Sequence, residues 1–282
     1  MRLTQSRKRE FIDNASRQEI AYLVREYYIA QENRIRANAQ MRALADEAQP
    51  TFMLEYLSAH GKKTEALITR ILDAWTEEDQ VTAWARQFIG VGPVIAAGFR
   101  ARINFAVLYP SQVLQFCGIT KAAVKKRGQK LNYCADLKRL AYLLANSFEK
   151  CGAKAAPDDP RNFYWALLQE ERRKGRMANE AGKFSRQAAE KLAKAKAASK
   201  EARATWGQGK LTDSHLRMRA LRKVEQVFLT HLHEVGHYHE TGKLPPLPWQ
   251  FEHAPESSSS PHDKREYIPV QLKPEWLPKR VL

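Results

Sequence analysis

Closely spaced cysteines are missing from this chain. Its 282 residues include three, Cys117, Cys134 and Cys151, with no CxxC pair. That excludes a zinc ribbon, and an odd number of widely spaced thiols argues against a disulfide framework. Long apolar runs are missing too: the most apolar stretch, residues 88–99, is far too short to cross a bilayer. The basic start is not followed by the apolar segment of a signal peptide. These absences lead to the expectation of a soluble, cytoplasmic protein with no membrane partner. Convincing strand patterns and internal repeats are also lacking, while helical spacing of apolar residues recurs along the chain. The expected fold class is all-α.

Acidic side chains are in short supply. There are 31 Asp and Glu against 47 Lys and Arg, a net charge of +16. The imbalance is local. Residues 121–210 carry 22 basic and 9 acidic side chains, whereas the flanking regions are close to balanced. A patch of one sign in an otherwise balanced chain points to a polyanionic partner, nucleic acid above all.

Residues 14–48 read as one helix closed by Pro50, and 51–60 and 62–75 as two shorter helices parted at Gly61. Thr76 reads as the cap of a helix reaching residue 88, with acids in its first turn. Further helices are expected over 93–102 and 110–116, each with proline at its first position. Others are expected over 135–150 and 211–239. Residues 161–206 read as one long helix, or a hairpin broken near Gly175 or Gly182. Within them, the Ala/Lys-rich segment 188–204 reads as an exposed arm, too poor in apolar residues to build a core. Trp75, Trp84 and Trp165 read as core or helix-contact residues. Eight of the 13 prolines lie in residues 245–278, beside four serines at 257–260, so the end of the chain reads as an extended tail. The expected organisation is a helical region over 1–84 and a helix-hairpin-helix domain over 85–150. A basic arm with a closing helix follows over 151–243, then the tail over 244–282.

The most informative local pattern is Phe88-Ile-Gly90-Val-Gly92-Pro-Val-Ile-Ala96. A helix, a Gly-Val-Gly turn and a second helix make a helix-hairpin-helix pattern. The glycines let the backbone turn tightly and approach a phosphate, and the N–H groups opening the second helix face it with positive partial charge. Val91 is expected to point inward and Ala96 to let the helices pack closely. The candidate contacts here are Gly90, Val91, Gly92, Val94, Arg100 and Arg102. A second candidate surface is the basic, Gly-containing loop with Lys121, Lys125, Lys126, Arg127 and Lys130, followed by Lys138 and Arg139. The cluster Arg217, Arg219, Arg222 and Lys223 reads equally well as phosphate surface or as a solvated helix face.

Residues 85–150 resemble the C-terminal Tnp domain of insertion-sequence transposases that pair it with a RuvC-like domain. The matching pieces are Ile89-Gly-Val-Gly-Pro-Val-Ile-Ala-Ala97, Tyr109-Pro-Ser-Gln-Val-Leu-Gln-Phe-Cys-Gly-Ile119, and Lys126-Arg-Gly-Gln-Lys130 through Leu137-Lys-Arg-Leu140. Residues 161–255 are similar to transposase-like proteins of phages and mobile elements, through Gln169-Glu-Glu-Arg-Arg173, Gln187-Ala-Ala-Glu-Lys-Leu192, Gly209-Lys-Leu-Thr-Asp-Ser-His215, Arg217-Met-Arg-Ala-Leu-Arg222 and Val227-Phe-Leu-Thr-His-Leu-His233. Those transposases use a sheet bearing four metal-binding acids and a serine near the Tnp hairpin. Residues 1–84 read as helices, and the stretch from Gly118 to Arg127 holds no serine. The resemblance therefore implies a DNA-binding module without the catalytic half, and it keeps structured RNA as an alternative ligand.

One motif points elsewhere. His233-Glu-Val-Gly-His237 fits HExxH on a helix, where two histidines one turn apart bind zinc and the glutamate is the general base. The alternative reading is thus a zinc-dependent hydrolase with metal ligands His233 and His237 and catalytic Glu234. Its third ligand would come from His239, Glu240, Glu252 or Glu256. The leading expectation is a non-catalytic DNA-binding protein without a cofactor; a protein partner contacting the basic arm, or an oligomer, is the remaining alternative.

Overall fold

The structure, a computed structural model, describes residues 5–44, 51–120, 128–194, 198–247 and 267–278. Regular structure among them is entirely helical, as the sequence pattern predicts. None of the described helices is long and apolar enough to cross a membrane. The chain divides into two compact units, residues 1–87 with 91–104, and residues 88–90 with 105–282.

The first unit contains α1 (Gln5–Asn14), α2 (Arg17–Leu44), α3 (Phe52–Glu78), α4 (Gln80–Arg86) and α5 (Pro93–Arg102). The helix expected over 14–48 instead begins at Arg17. Ser16 stops the chain and restarts it: its N–H donates to the Glu19 carboxylate at 2.8 Å, and its Oγ accepts the Glu19 N–H at 3.2 Å. This reciprocal pair is a capping box. Gly61 does not break a helix, because α3 runs straight through it. A Cβ there would lie 3.1 Å from the Ala30 carbonyl oxygen and from the Arg34 Cβ of α2, so the glycine lets two long helices approach. Arg34 fixes their register with two bonds to Glu65, at 2.5 and 3.0 Å. Thr76 is not a cap. Its hydroxyl donates back to the Leu72 carbonyl at 2.7 Å inside α3, and Asp79 caps α4 by accepting the Thr82 N–H at 2.9 Å. The core is Ile20, Val24, Ile68, Leu72, Val94 and Ala97.

The second unit holds α6 (Pro110–Phe116), α7 (Ala135–Gly152), α8 (Phe163–Glu180), α9 (Ser185–Lys194), α10 (Lys200–Gly207) and α11 (Asp213–Thr241). The long helix α11 is the axis on which α6, α7 and α8 pack. Its apolar positions Leu221, Val224, Phe228 and Val235 are buried as their spacing predicts. Phe88, Phe148, Tyr164 and Phe228 form an aromatic core with ring centroids 4.8–5.7 Å apart. The break in residues 161–206 comes at Gly182, whose φ of +72° favours glycine; Gly175 stays helical within α8.

Past that break, α9 and α10 pack on each other. They share a small core with α11, in which Ala188, Leu211 and Leu216 are buried and Phe184 and Trp206 half-buried. Among the described residues of the Ala/Lys segment Ala188 is buried and most others are exposed, so the segment is anchored at Ala188 and otherwise faces solvent. Asn179 closes the arrangement. Its Nδ2 donates to the Leu211 carbonyl at 3.0 Å and its Oδ1 accepts the Leu211 N–H at 2.8 Å, tying the end of α8 to the start of α11. The extended segment 267–278 docks on α11, with Leu277 buried and the Trp276 ring stacked on Tyr238. The serine run at 257–260 lies outside the described residues.

Candidate nucleic-acid interface

The helix, Gly-Val-Gly turn and helix expected around residue 90 are present as α4, the turn and α5. Gly90 has a φ of +101°. Its carbonyl accepts the Ser147 hydroxyl at 2.7 Å, and a Cβ on it would lie 3.1 Å from the Phe148 backbone nitrogen. Gly90 therefore seats its own backbone against α7. Gly92 differs. It occupies the cap position of α5 with extended backbone, no side chain caps the helix, and open space surrounds its Cβ position. The first-turn N–H groups of α5 thus have no side-chain acceptor. Val91 and Val94 are buried, as is Ala96.

The two arginines that follow hold the first unit together. Arg100 is buried and its Nε lies 2.7 Å from Asp79 Oδ2. Arg102 donates from Nη2 to the Ala21 carbonyl at 2.8 Å. Both guanidiniums brace helices of that unit. In the basic loop, Lys121, Lys125, Lys126 and Arg127 lie outside the described residues. Lys130 and Arg139 are exposed, and the Lys138 ammonium sits 4.5 Å from the Tyr133 ring centroid.

The larger basic feature is a groove of about 1230 Å³ bordered by α8, α9, α10 and α11. Its cations are Lys174, Lys191, Arg219, Arg222 and Lys223, against one acid, Glu171. Its apolar lining includes Ala178, Leu216 and Ala220. The Arg219 guanidinium lies 4.6 Å from the Phe184 ring centroid and the Lys191 ammonium 5.9 Å from that of Trp206. Arg222 is exposed and has no ion-pair partner among the described residues. His215 belongs to the same groove; burial, and then the positive charge of Lys191 and Arg219, lower its pKa.

Arg217, two residues away, has a different role. It forks onto Glu149, which also accepts Arg172 at 2.9 Å. The hydrogen bond from Arg217 and the nearby cations hold the Glu149 carboxyl below its usual range. The structure thus divides the cluster: Arg217 braces α11 on α7, while Arg219 and Arg222 face the groove. The signal was in the spacing, since 215, 219 and 222 fall on one helical face. The contributions of Lys174 and Lys191 come from other helices and leave no such local pattern.

The HEVGH segment is buried in α11. His233 donates from Nε2 to the Val107 carbonyl at 2.8 Å, and His237 from Nδ1 to the Phe105 carbonyl at 2.8 Å. These bonds fix the orientation of both rings and engage one nitrogen of each, so by themselves they do not decide for or against a metal at the other nitrogen. Glu234 accepts the Tyr267 hydroxyl. No group of three or more His, Cys, Asp or Glu among the described residues is placed to hold a metal ion. Of the third-ligand candidates, Glu252 and Glu256 lie outside the described residues. The motif's glycine has a packing reason: a Cβ on Gly236 would lie 2.5 Å from the Phe105 ring. Gly236→Ala is expected to destabilise the protein by about 2 kcal/mol through overpacking, against alanine's better helix propensity. Urea unfolding measures it.

Comparison with family models, with curated proteins and with solved structures finds no match.

Proposed function

We propose that this protein is a non-catalytic DNA-binding protein of a mobile element or phage, and that it holds the phosphate backbone in the basic groove of its second unit. The observation that carries this reading is the groove: five cations from three helices border one concave surface with a single acid. Lys and Arg so placed neutralise phosphates, release counterions and bind without reading sequence. The resemblance to the Tnp domain supports the assignment to mobile elements. The open cap of α5 at Gly92 offers a second phosphate contact.

Fluorescence anisotropy with labelled duplex DNA, and with structured RNA as the competing ligand, tests the reading. Gly92→Asp isolates the hairpin's share. The extended backbone at Gly92 suits an aspartate cap, so the fold holds or gains roughly a few tenths of a kcal/mol. The added charge repels a phosphate at the same place, and affinity at low salt is expected to fall about tenfold. Unchanged affinity in the folded variant would remove the hairpin from the interface and leave the groove.

A further inference from the structure

We infer that the groove takes an unpaired strand, with bases stacked on Phe184 and Trp206 and phosphates on the surrounding cations. This rests on the nucleic-acid reading above and specifies the form of the ligand. Three observations carry it. First, the site is concave and of about 1230 Å³, which is room for a few nucleotides of one strand. Second, its surface is mixed. A site that met only the outside of a duplex would need cations alone, whereas here Ala178, Leu216 and Ala220 line the groove beside two aromatic rings. Apolar and aromatic lining under a basic rim is the arrangement that binds bases and backbone together.

Third, both rings already hold cationic side chains in the free protein, Arg219 on Phe184 and Lys191 on Trp206. A base that takes over the ring face leaves the cation beside it, next to the phosphate that base carries. The Trp206 Nε1–H, shielded from water, has no acceptor among the described residues. A base carbonyl or a phosphate oxygen would satisfy it. Every base has a π-face, so stacking of this kind tolerates sequence. The shared chemistry is an unpaired polynucleotide, whether deoxyribose or ribose.

The test is competition of short oligothymidine and oligouridine against a duplex of equal length for the intact protein. Binding of the single strands at least about tenfold tighter than the duplex is expected; the two arms report which sugar is preferred. Phe184→Leu and Trp206→Leu keep apolar volume and lose the aromatic face. Each is expected to lower single-strand affinity about tenfold with little change in the salt slope, circular dichroism confirming the fold. Ultraviolet crosslinking to oligothymidine reads the same contact without a variant, and adducts are expected on peptides containing Phe184 or Trp206. Duplex binding equal to or tighter than single-strand binding, with adducts elsewhere, would overturn the inference while leaving the nucleic-acid reading in place. Failure of every nucleic acid to bind would overturn both.

Discussion

Arg219→Ala with Arg222→Ala is expected to lower nucleic-acid affinity about 100-fold at low salt and to flatten the salt dependence by about 1.5 units of slope. Two phosphate contacts removed account for both figures. Both side chains are exposed on one face of α11, and no carboxylate pairs with either among the described residues. The fold should be little affected, because exposed positions change stability little; loss of the Arg222 charge lets the pKa of the buried Glu225 carboxyl rise slightly further. Arg217→Ala makes the contrasting control. It leaves Glu149 with Arg172 alone, so it should weaken the fold and leave the salt slope unchanged. Equal losses of affinity from Arg217→Ala and from the double variant would mean that net charge, rather than the groove, governs binding.

Stability is expected to vary little with pH between about 4.5 and 6.5, because two buried groups of α11 oppose each other there. His231 is buried; its Nε2–H donates to the Ile268 carbonyl at 2.8 Å and its Nδ1 accepts from Tyr164. Burial lowers its pKa from 6.5 to about 4. As pH falls through that interval the unfolded chain takes the proton first, so stability is lost. Glu225 is also buried, and burial raises its pKa from 4.5 to about 7 despite the opposing pull of Arg222 and Lys138. As pH rises from 4.5 towards 7 the unfolded chain loses the proton first, so stability is again lost. Each effect is on the order of 3 kcal/mol when complete.

Glu225→Gln removes one of the two. The variant should be more stable than the parent above neutral pH, by about 2 kcal/mol once the burial of the amide is counted, and should weaken steeply below about pH 6.5. Urea unfolding across pH gives the two curves. Parallel curves would show that Glu225 is solvated in the folded chain.

Much of the fold was legible because it rests on local signals. The helices α5, α6, α7 and α11 announce themselves by apolar spacing and by prolines at the first turns of α5 and α6. The errors came where one residue type serves two purposes. Gly61 reads as a breaker, yet it is a contact between α2 and α3, a fact set by residues some thirty positions apart in the chain. Ser16-Arg-Gln-Glu19 is a capping box that sequence alone could have shown. Thr76 lost its expected role to Asp79, which lies closer to the start of α4 and presents a carboxylate to it.

The site was legible in charge only in part. The basic bias of residues 121–210 is plain in the sequence and holds Lys174 and Lys191, but Arg219, Arg222 and Lys223 lie beyond it. Which of those side chains are tied to acids and which line a groove depends on α8, α9 and α11 meeting in space. Arg100 and Arg102 show the difficulty from the other side: they follow the hairpin as phosphate ligands would, and they bind Asp79 and the Ala21 carbonyl. The HEVGH motif has the spacing for zinc, but no group of three His, Cys, Asp or Glu stands together there among the described residues.

The salt dependence of binding by the intact protein tests the central claim most directly. Anisotropy of a labelled oligonucleotide, titrated between about 50 and 200 mM salt, gives the slope of log K against log salt. Binding at low salt with a slope of about −3 to −4 is expected for the groove cations together. Absence of binding at low salt, or an affinity that salt does not change, would contradict it.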